Sequence, residues 1–180
     1  WMGIKTQKCP LDLWVYQEII HEVRPDFIIE CGSLYGGSAL FLASMCDLVG
    51  SGRVISIDVM PYFRPKHRRI NYILGDSTAP DIVESIRKEI GGTVMAILDS
   101  AHDKGHVLDE LWAYAPMVTS YLIVEDTNVN GHPVLPDFGP GPMEAVEQFL
   151  AENDEFERDE SREKFLLSFN PGGWLRRRNA

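Results

Sequence analysis

The sequence predicts an α/β fold: a doubly wound, mostly parallel sheet of seven strands that ends in a C-terminal antiparallel hairpin. Short apolar runs alternate with helical patterns from one end of the chain to the other, which is typical of a sheet covered by helices. Nearly every apolar run ends in an acidic residue. Because the carboxyl ends of parallel strands share one edge of the sheet, these acids are expected together where such folds bind ligands.

The N-terminal half is expected to supply three strands and the helices between them. A helix is predicted over 11–23, because its large apolar residues recur at helical spacing and Pro25 stops it. After the first strand, the turn GSLYGG leads into a second helix, SALFLASMCDLVG. The three strands are predicted at 27–31, 53–58 and 70–74.

The C-terminal half continues this alternation and then departs from it. In chain order we predict a helix over 80–90, a strand over 94–99, a helix over 105–118, a strand over 121–126 and a helix over 142–153. The intervening segment 127–142 is rich in glycine and proline, and a loop of this length inside a domain is usually functional, often as a lid. The runs 156–160 and 164–170 are predicted to pair as the antiparallel hairpin.

Length and composition indicate a single globular domain over residues 1–180. The chain is 44% apolar, as expected for a protein with a full core. The net charge of −10 and the pI near 4.9 argue against nucleic acid as a partner, because phosphates require a basic face. The one basic run, LRRRN at 175–179, is interpreted as a solvated tail.

The cellular location is inferred from cysteines and apolar runs. Cys9, Cys31 and Cys46 are odd in number and lack C-x-x-C spacing, so free thiols in a reducing compartment are expected. The sequence shows no apolar run long enough for a membrane span and no signal peptide. A cytoplasmic protein without a membrane partner is therefore expected. The abrupt start at Trp1 suggests that an N-terminal extension is missing.

Three carboxylates are predicted to converge on a metal ion. Asp99 ends the fourth strand, and Glu125 and Asp126 end the fifth. Adjacent acids beside a buried strand are costly unless a cation neutralises them, and all-oxygen ligands favour Mg²⁺, Mn²⁺ or Ca²⁺. The structural alternative is a helix cap at Asp99 and a solvated acidic pair.

Two histidines are candidates for a general base near these acids. His102 lies three residues after Asp99, on the turn that leaves the same strand, and an imidazole can accept a proton at neutral pH. His132 lies in the long loop, from which it could reach a substrate. The choice between the two stays open, and either can be structural. His106, at a helix start, is interpreted as a surface residue.

Three features favour a nucleoside at the same edge of the sheet. The glycines Gly32, Gly36 and Gly37 let the backbone approach a ligand, although their G-x-x-x-G-G spacing differs from the dinucleotide fingerprint. Asp58, at the end of the second strand, can accept hydrogen bonds from ribose hydroxyls. Ser77, after the third strand, can face an adenine edge. A solvated strand end and an ordinary turn are the alternatives for these last two residues.

Blocks of sequence along nearly the whole chain resemble the cephalosporin hydroxylase/rhamnosyl O-methyltransferase family of class I S-adenosylmethionine-dependent methyltransferases. These blocks are CPLDLWVYQEII, ECGSLYGGSALFLA, VISIDV, GDST, LDSAHD, VEDTNVNGHPVLPDFGPGP and EKFLLSFNPGGWLRR. The resemblance implies a Rossmann-like methyltransferase domain and S-adenosylmethionine as the cofactor. It places Glu30, Gly32 and Ser38 at the methionine part of the cofactor, Asp58 at the ribose and Ser77 at the adenine.

The same resemblance implies a metal site beside the cofactor. It assigns Mg²⁺ to Asp99, Glu125 and Asp126, with Asp99 also counted among the cofactor-binding residues. Catechol-type O-methyltransferases share this layout, and a lysine occupies the place of His102 there. A catalytic role for His102 and Asp99 is therefore expected. Related enzymes are often homo-oligomers, which is expected here too.

The residues and the resemblance together predict a Mg²⁺-dependent O-methyltransferase. Its methyl group would move from S-adenosylmethionine to a hydroxyl of a small molecule, a sugar or natural-product acceptor, after the metal lowers the pKa of that hydroxyl and His102 takes the proton. One alternative is a cephalosporin-hydroxylase-type oxygenase component, which would need two histidines and one carboxylate around iron. The other is a non-catalytic partner protein that binds the cofactor.

Overall fold

The computed structural model describes residues 1–178 and contains one mixed sheet of seven strands. The strands are β1 (Phe27–Cys31), β2 (Arg53–Asp58), β3 (Ile70–Leu74), β4 (Val94–Leu98), β5 (Tyr121–Val124), β6 (Phe156–Arg158) and β7 (Trp174–Arg177). Their order is β3-β2-β1-β4-β5-β7-β6. Strands β1 to β5 are parallel, and β7 is antiparallel to both of its neighbours. The predicted fold class is confirmed.

Within the described residues, five α-helices cover the two faces of the sheet. The first two, α1 (Pro10–Val23) and α2 (Gly37–Val49), pack on one face, and α3 (Pro80–Glu89), α4 (Lys104–Tyr114) and α5 (Pro142–Glu152) pack on the other. Successive side chains of a strand enter opposite cores: Ile28 belongs to one apolar cluster and Ile29 to the other. Within residues 1–178, no helix combines the length and the apolar character that a membrane span requires.

The C-terminal hairpin forms, but its second strand is not the predicted one. Residues 164–170 contain no strand, and the Leu166 side chain is fully exposed. The partner of β6 is instead β7, in which Trp174 and Leu175 are 1% and 0% exposed. The prediction over 164–170 is therefore wrong, because an apolar run becomes a strand only where it finds both a partner and a core.

The basic run 175–179 is likewise not a solvated tail over the part that the structure describes. Residues 175–177 belong to β7, and the Arg177 guanidinium donates to the Val118 carbonyl at 2.8 Å. Arg176 pairs with Glu157 of β6 at 2.6 Å. These arginines therefore belong to the sheet, in which β7 lies between β5 and β6. Residue 179 lies outside the described residues.

Two boundaries differ from prediction in a way that matters for the site. The strand predicted over 121–126 ends at Val124, so the following acids leave the sheet. Asp126 adopts a left-handed conformation with φ +52°, which turns the chain sharply away from β5. The helix predicted over 105–118 ends at Tyr114.

Candidate active site

A cavity of about 510 Å³ opens at the carboxyl edge of the parallel strands. Its walls come from the residues that follow β1, β2, β3 and β4 and from the first turn of α4. Its size suits a small organic ligand. The lining includes most of the predicted site residues: Gly32, Asp58, Ser77, Asp99, His102 and Asp126.

The turn after β1 brings the backbone against this cavity. Gly32 has φ +93°, and a Cβ there would lie 1.8 Å from the carbonyl oxygen of Asp99, so only glycine lets the two strand ends approach this closely. The turn is held by Asp58, whose Oδ2 accepts from the Leu34 amide at 2.6 Å and whose Oδ1 accepts from the Met60 amide at 2.7 Å. Each carboxylate oxygen keeps a further lone pair, so the ribose role of Asp58 stays a prediction that this geometry permits.

Glu30, in β1, is a carboxylate with 0% exposure. Ser56 donates to its Oε2, but Oε1 has no hydrogen-bond partner among the residues described. Burial raises the pKa of Glu30, while Lys8 and the hydroxyls of Ser38 and Ser56 oppose the rise. An unpartnered carboxylate oxygen fits a cationic group such as an α-ammonium. Ser38 lines a narrow crevice that shares Asp99 with the main cavity.

A second buried carboxylate lies behind the end of the cavity beside β3. Glu110 of α4 is 0% exposed, and its Oε1 accepts from the Ser77 hydroxyl at 2.5 Å and from the Ser100 hydroxyl at 2.7 Å. The Nε2 atom of His106 lies 3.4 Å from the same oxygen. The interpretation of His106 as a surface residue is therefore wrong, because its ring lines the cavity and pairs with Glu110.

Asp99, His102 and Asp126 form an acidic cluster at the cavity wall. The Nε2 atom of His102 lies 3.2 Å from Asp99 Oδ1 and 3.3 Å from Asp126 Oδ2. One ligand atom from each residue lies within 4.8 Å of the others, and two of the three are the carboxylate oxygens that a hard divalent ion prefers. The donor set thus fits such an ion. Asp103, not Asp99, caps α4, so the helix-cap alternative for Asp99 is wrong.

Glu125 lies outside this cluster because a buried lysine and a tyrosine hold it. Lys8 Nζ donates to Asp99 and to Glu125 Oε1, and the Tyr16 hydroxyl donates to the same Glu125 oxygen at 2.6 Å. The Lys8 side chain is only 4% exposed. The predicted role of Glu125 as a metal ligand stays a prediction.

These neighbouring charges shift one another's pKa values. Burial lowers the pKa of Lys8, but Asp99 and Glu125 outweigh it and raise that pKa far above its ordinary value. Burial raises the pKa of Asp99, but Lys8 and His102 bring it below the ordinary value. Burial and then Asp99 raise the pKa of Glu125 to about 8. Asp99 is therefore the acid that Lys8 keeps ionised, and Glu125 is the one that holds its proton more tightly.

The remaining two groups of the cluster both have raised pKa values. The hydrogen bond to Asp99 is the main cause for His102, and burial opposes it. Burial is the main cause for Asp126, followed by the charge of Asp99.

The long loop after β5 is tied to α5 by Glu144. The Asn130 amide and the His132 ring lie 2.7 Å and 3.1 Å from Glu144 Oε1, and the Gly141 amide donates to Oε2 at 2.7 Å. Burial opposes the change, but these bonds lower the pKa of Glu144 to about 2. His132 is not among the residues lining the cavity. Of the two candidate bases, His102 is the one that the fold places there.

Sequence reasoning missed Lys8 and Glu110. Lys8 meets its partners across 91 and 117 residues of sequence, and no local pattern announces such a contact. The sequence did contain a signal for the burial of Glu110, which lies between Val107 and Tyr114 at helical spacing, within the apolar stripe of α4. An acid inside such a stripe is buried and needs partners.

Comparisons with known proteins agree with this architecture. A family model described as Rhamnosyl O-methyltransferase/CmcI matches residues 1–178. A rhamnosyl O-methyltransferase of Mycobacterium leprae (strain TN) is 45% identical over 189 residues, which cover 99% of this chain and 82% of that protein. One of Mycobacterium bovis (strain BCG / Pasteur 1173P2) is 41% identical, covering 97% of this chain and 76% of that protein.

Solved structures of lower identity share the fold. A structure of CmcI with Mg and SAM has a TM-score of 0.76 at 24% identity and covers 98% of this chain and 75% of that one. The MycE methyltransferase from the mycinamycin biosynthetic pathway, in complex with Mg, SAH and mycinamycin VI, has a TM-score of 0.60 at 19% identity. That match covers 75% of this chain and 41% of MycE.

Proposed function

Because this chain belongs to the rhamnosyl O-methyltransferase/CmcI family and is an S-adenosylmethionine-dependent O-methyltransferase, we propose that it methylates a hydroxyl of a sugar or natural-product acceptor with the help of a bound Mg²⁺ ion. The observation that carries this proposal is the cluster of Asp99, His102 and Asp126 at the wall of the cavity. It lies beside the glycine turn at which the cofactor is proposed to bind.

We place the cofactor along the carboxyl edge of the sheet. Gly32 gives its methionine part room against the backbone, and the free Oε1 of Glu30, with Ser38 nearby, supplies a negative partner for its ammonium group. Asp58 faces the ribose from the end of β2, and Ser77 faces the adenine from the turn after β3. Asp99 closes the cofactor site on the side of the acidic cluster.

The metal ion is assigned to the carboxylates of Asp99 and Asp126, with Glu125 as a further ligand once its proton has left. Such an ion, when bound, lowers the pKa of a coordinated hydroxyl. His102 accepts the hydroxyl proton, and its raised pKa, caused mainly by Asp99, favours that transfer. Asp99 then stabilises the imidazolium at 3.2 Å. The fixed strand ends hold the acceptor oxygen in line with the sulfonium methyl group.

The oxygenase alternative finds less support in this geometry. A facial triad for non-haem iron needs two histidines and one carboxylate, whereas the cluster has one histidine and two carboxylates. The second histidine of the segment, His106, pairs with Glu110 instead.

Calorimetric titration tests the cofactor and metal parts of the proposal separately. S-adenosylhomocysteine is titrated into the protein with Mg²⁺ and with EDTA, and Mg²⁺ is then titrated into the cofactor complex. We expect micromolar cofactor binding, and a Mg²⁺ isotherm that Asp126→Asn abolishes and the matched loop variant Asp137→Asn leaves unchanged. Absence of cofactor heat under both conditions would refute the cofactor placement, and an unchanged isotherm in Asp126→Asn would refute the metal site.

The role of His102 needs its own experiment, since its Nε2 atom belongs to the candidate metal cluster. We propose that it is the base and not a ligand. His102→Gln should then reduce kcat by roughly 10²-fold or more while the Mg²⁺ affinity changes little. A large loss of Mg²⁺ affinity in this variant would instead identify His102 as a ligand.

We also propose that the chain is one domain and that it self-associates. A single sheet carries both apolar cores, which supports one folding unit.

Leu166, Leu167 and Phe169 are exposed apolar side chains within one short segment of the chain, a feature of association sites. Light scattering coupled to size-exclusion chromatography tests this, and a strictly monomeric mass across micromolar concentrations would refute it.

A further inference from the structure

Glu110 controls the direction of the hydrogen bonds at one end of the cavity. Its Oε1 accepts hydrogen bonds from the Ser77 and Ser100 hydroxyls, and His106 Nε2 lies 3.4 Å from that oxygen and 3.3 Å from Ser77 Oγ. These groups come from three parts of the fold: the turn after β3, the end of β4 and the start of α4. The cluster is separate from the metal-site residues.

An acid at position 110 needs an explanation, because burying a carboxylate costs free energy. Glu110 is 0% exposed, and its Oε2 has no hydrogen-bond partner within residues 1–178. A glutamine would bridge the same hydroxyls without burying a charge. What only the carboxylate does is to accept from every neighbour and donate to none. It therefore takes the Ser77 hydroxyl hydrogen, and the Ser77 oxygen, which lies 3.3 Å from His106 Nε2, then accepts the hydrogen of that ring nitrogen.

The groups that line the cavity are consequently left with acceptor lone pairs. The Ser77 oxygen has given its hydrogen to Glu110 and keeps one lone pair besides the one that faces His106 Nε2 at 3.3 Å. A neutral His106 ring that donates from Nε2 has its free lone pair on Nδ1. Both groups are fixed in place: the Tyr114 hydroxyl donates to the Ser77 carbonyl at 2.7 Å, and the His106 amide donates to Asp103 at 3.0 Å. A cavity wall whose side chains present only hydrogen-bond acceptors favours a ligand group that donates hydrogen bonds.

We propose that Glu110 is a positioning residue that makes this end of the cavity selective for a 6-aminopurine over a 6-oxopurine. The inference rests on the proposed cofactor placement, with the adenine beside Ser77. The exocyclic amine of adenine supplies hydrogens to the acceptors, whereas the oxygen of a 6-oxopurine meets them acceptor to acceptor. Asp76 is a further hydrogen-bond acceptor in the lining at this end of the cavity. Its Oδ1 accepts from the Thr78 amide at 2.9 Å and from the Thr78 hydroxyl at 2.8 Å, so Asp76 also presents acceptors and no donor from its side chain.

The test compares two ligands that differ at that group, S-adenosylhomocysteine and S-inosylhomocysteine, by calorimetry at pH 8. The wild-type protein should prefer the adenosyl compound by roughly 30-fold, as expected where acceptors are left unpaired. Glu110→Gln should reduce this preference to less than about threefold, because a glutamine amide can donate to the Ser77 oxygen and free its hydroxyl hydrogen. The control Glu147→Gln changes an exposed acid of α5 and should keep the full preference.

The pH profile provides a readout that a purely structural role would not give. The hydrogen bond to Glu110 raises the pKa of His106 most, burial opposes it, and the charges of Asp76 and Asp103 raise it further. Protonation places a hydrogen on Nδ1 and removes that acceptor. The preference for the adenosyl ligand should therefore fall as the pH drops through this raised pKa, and His106→Phe should lower the preference at pH 8 and remove its pH dependence.

Each outcome separates this inference from the proposed function. Binding of S-adenosylhomocysteine with the same preference in wild type and Glu110→Gln overturns the inference and leaves the cofactor placement standing. A wild-type protein that binds neither ligand overturns both. If Glu110→Gln does not fold, judged by circular dichroism, His106→Phe decides alone, and an unchanged preference there overturns the inference.

Discussion

Lys8→Met should strongly destabilise the metal-free protein, because the Lys8 side chain is buried between two acids. The substitution keeps most of the side-chain length but deletes the ammonium group that joins Asp99 to Glu125. Removing one partner of a buried ion pair leaves the other charge uncompensated, which costs about 3–5 kcal/mol.

The structure places the expected value at the lower end of this range. Asp99 keeps His102 at 3.2 Å as a second cationic partner, and Glu125, with a pKa of about 8, can stay neutral near pH 7. We therefore expect a loss of ~3 kcal/mol, which lowers the Tm of a domain of this size by about 6–12 °C.

Thermal unfolding followed by circular dichroism in EDTA at pH 7 measures this change. The matched control is Lys164→Met, which removes a lysine whose partner is Glu18 but whose side chain is 43% exposed. Exposed pairs contribute about 0–1 kcal/mol, so this variant should unfold within about 4 °C of wild type. Equal Tm values for the two variants would show that Lys8 does not neutralise the acids.

Other consequences of the site are open to similar measurements. The folded pKa of Glu125, about 8, exceeds its ordinary value of 4.5, so its contribution to stability is present at acidic pH and is lost as the pH rises through 8. The Tm in EDTA should fall from pH 5 to 9, and Glu125→Gln should flatten that profile; a rising wild-type profile would contradict this. Gly32→Ala should cost more than about 2 kcal/mol in urea unfolding, since its Cβ would lie 1.8 Å from the Asp99 carbonyl oxygen. Glu144→Ala should make the loop that carries His132 susceptible to limited proteolysis, and equal cleavage rates would refute its role as the anchor.

Local pattern was enough to predict most of this fold, and its failure at the C-terminus has a physical cause. The parallel strands and their helices appear within a few residues of their predicted bounds, because each has its own apolar period and turn. The run over 164–170 has strand-like composition, but Leu166 faces solvent. The true strand begins after Gly173, where a Cβ would lie 2.2 Å from the Val124 carbonyl oxygen. This close approach to β5 is a tertiary contact, and it distinguishes β7 from the run over 164–170.

The site was predictable where the topology decides it. Parallel strands bring their carboxyl ends together, so the strand-end acids had to meet at one edge. Which atom neutralises which acid depends on side chains from distant parts of the sequence, such as Lys8. A cation was expected beside Glu125, and the fold supplies a lysine there.

Asp126 is the acid of the cluster that has no lysine partner among the described residues. Among residues 1–178, His102 is the one cationic side chain within ion-pair distance of Asp126. The φ of Asp126, +52°, is a strained conformation for a residue with a side chain. Asparagine tolerates that conformation and carries no charge to repel Asp99. In EDTA, the free energy of unfolding of Asp126→Asn should therefore equal that of the wild type or exceed it by roughly 0.5–1 kcal/mol. The stabilisation that Mg²⁺ gives the wild type should disappear in this variant. A large destabilisation in EDTA would mean that the Asp126 carboxylate supports the fold rather than a bound ion.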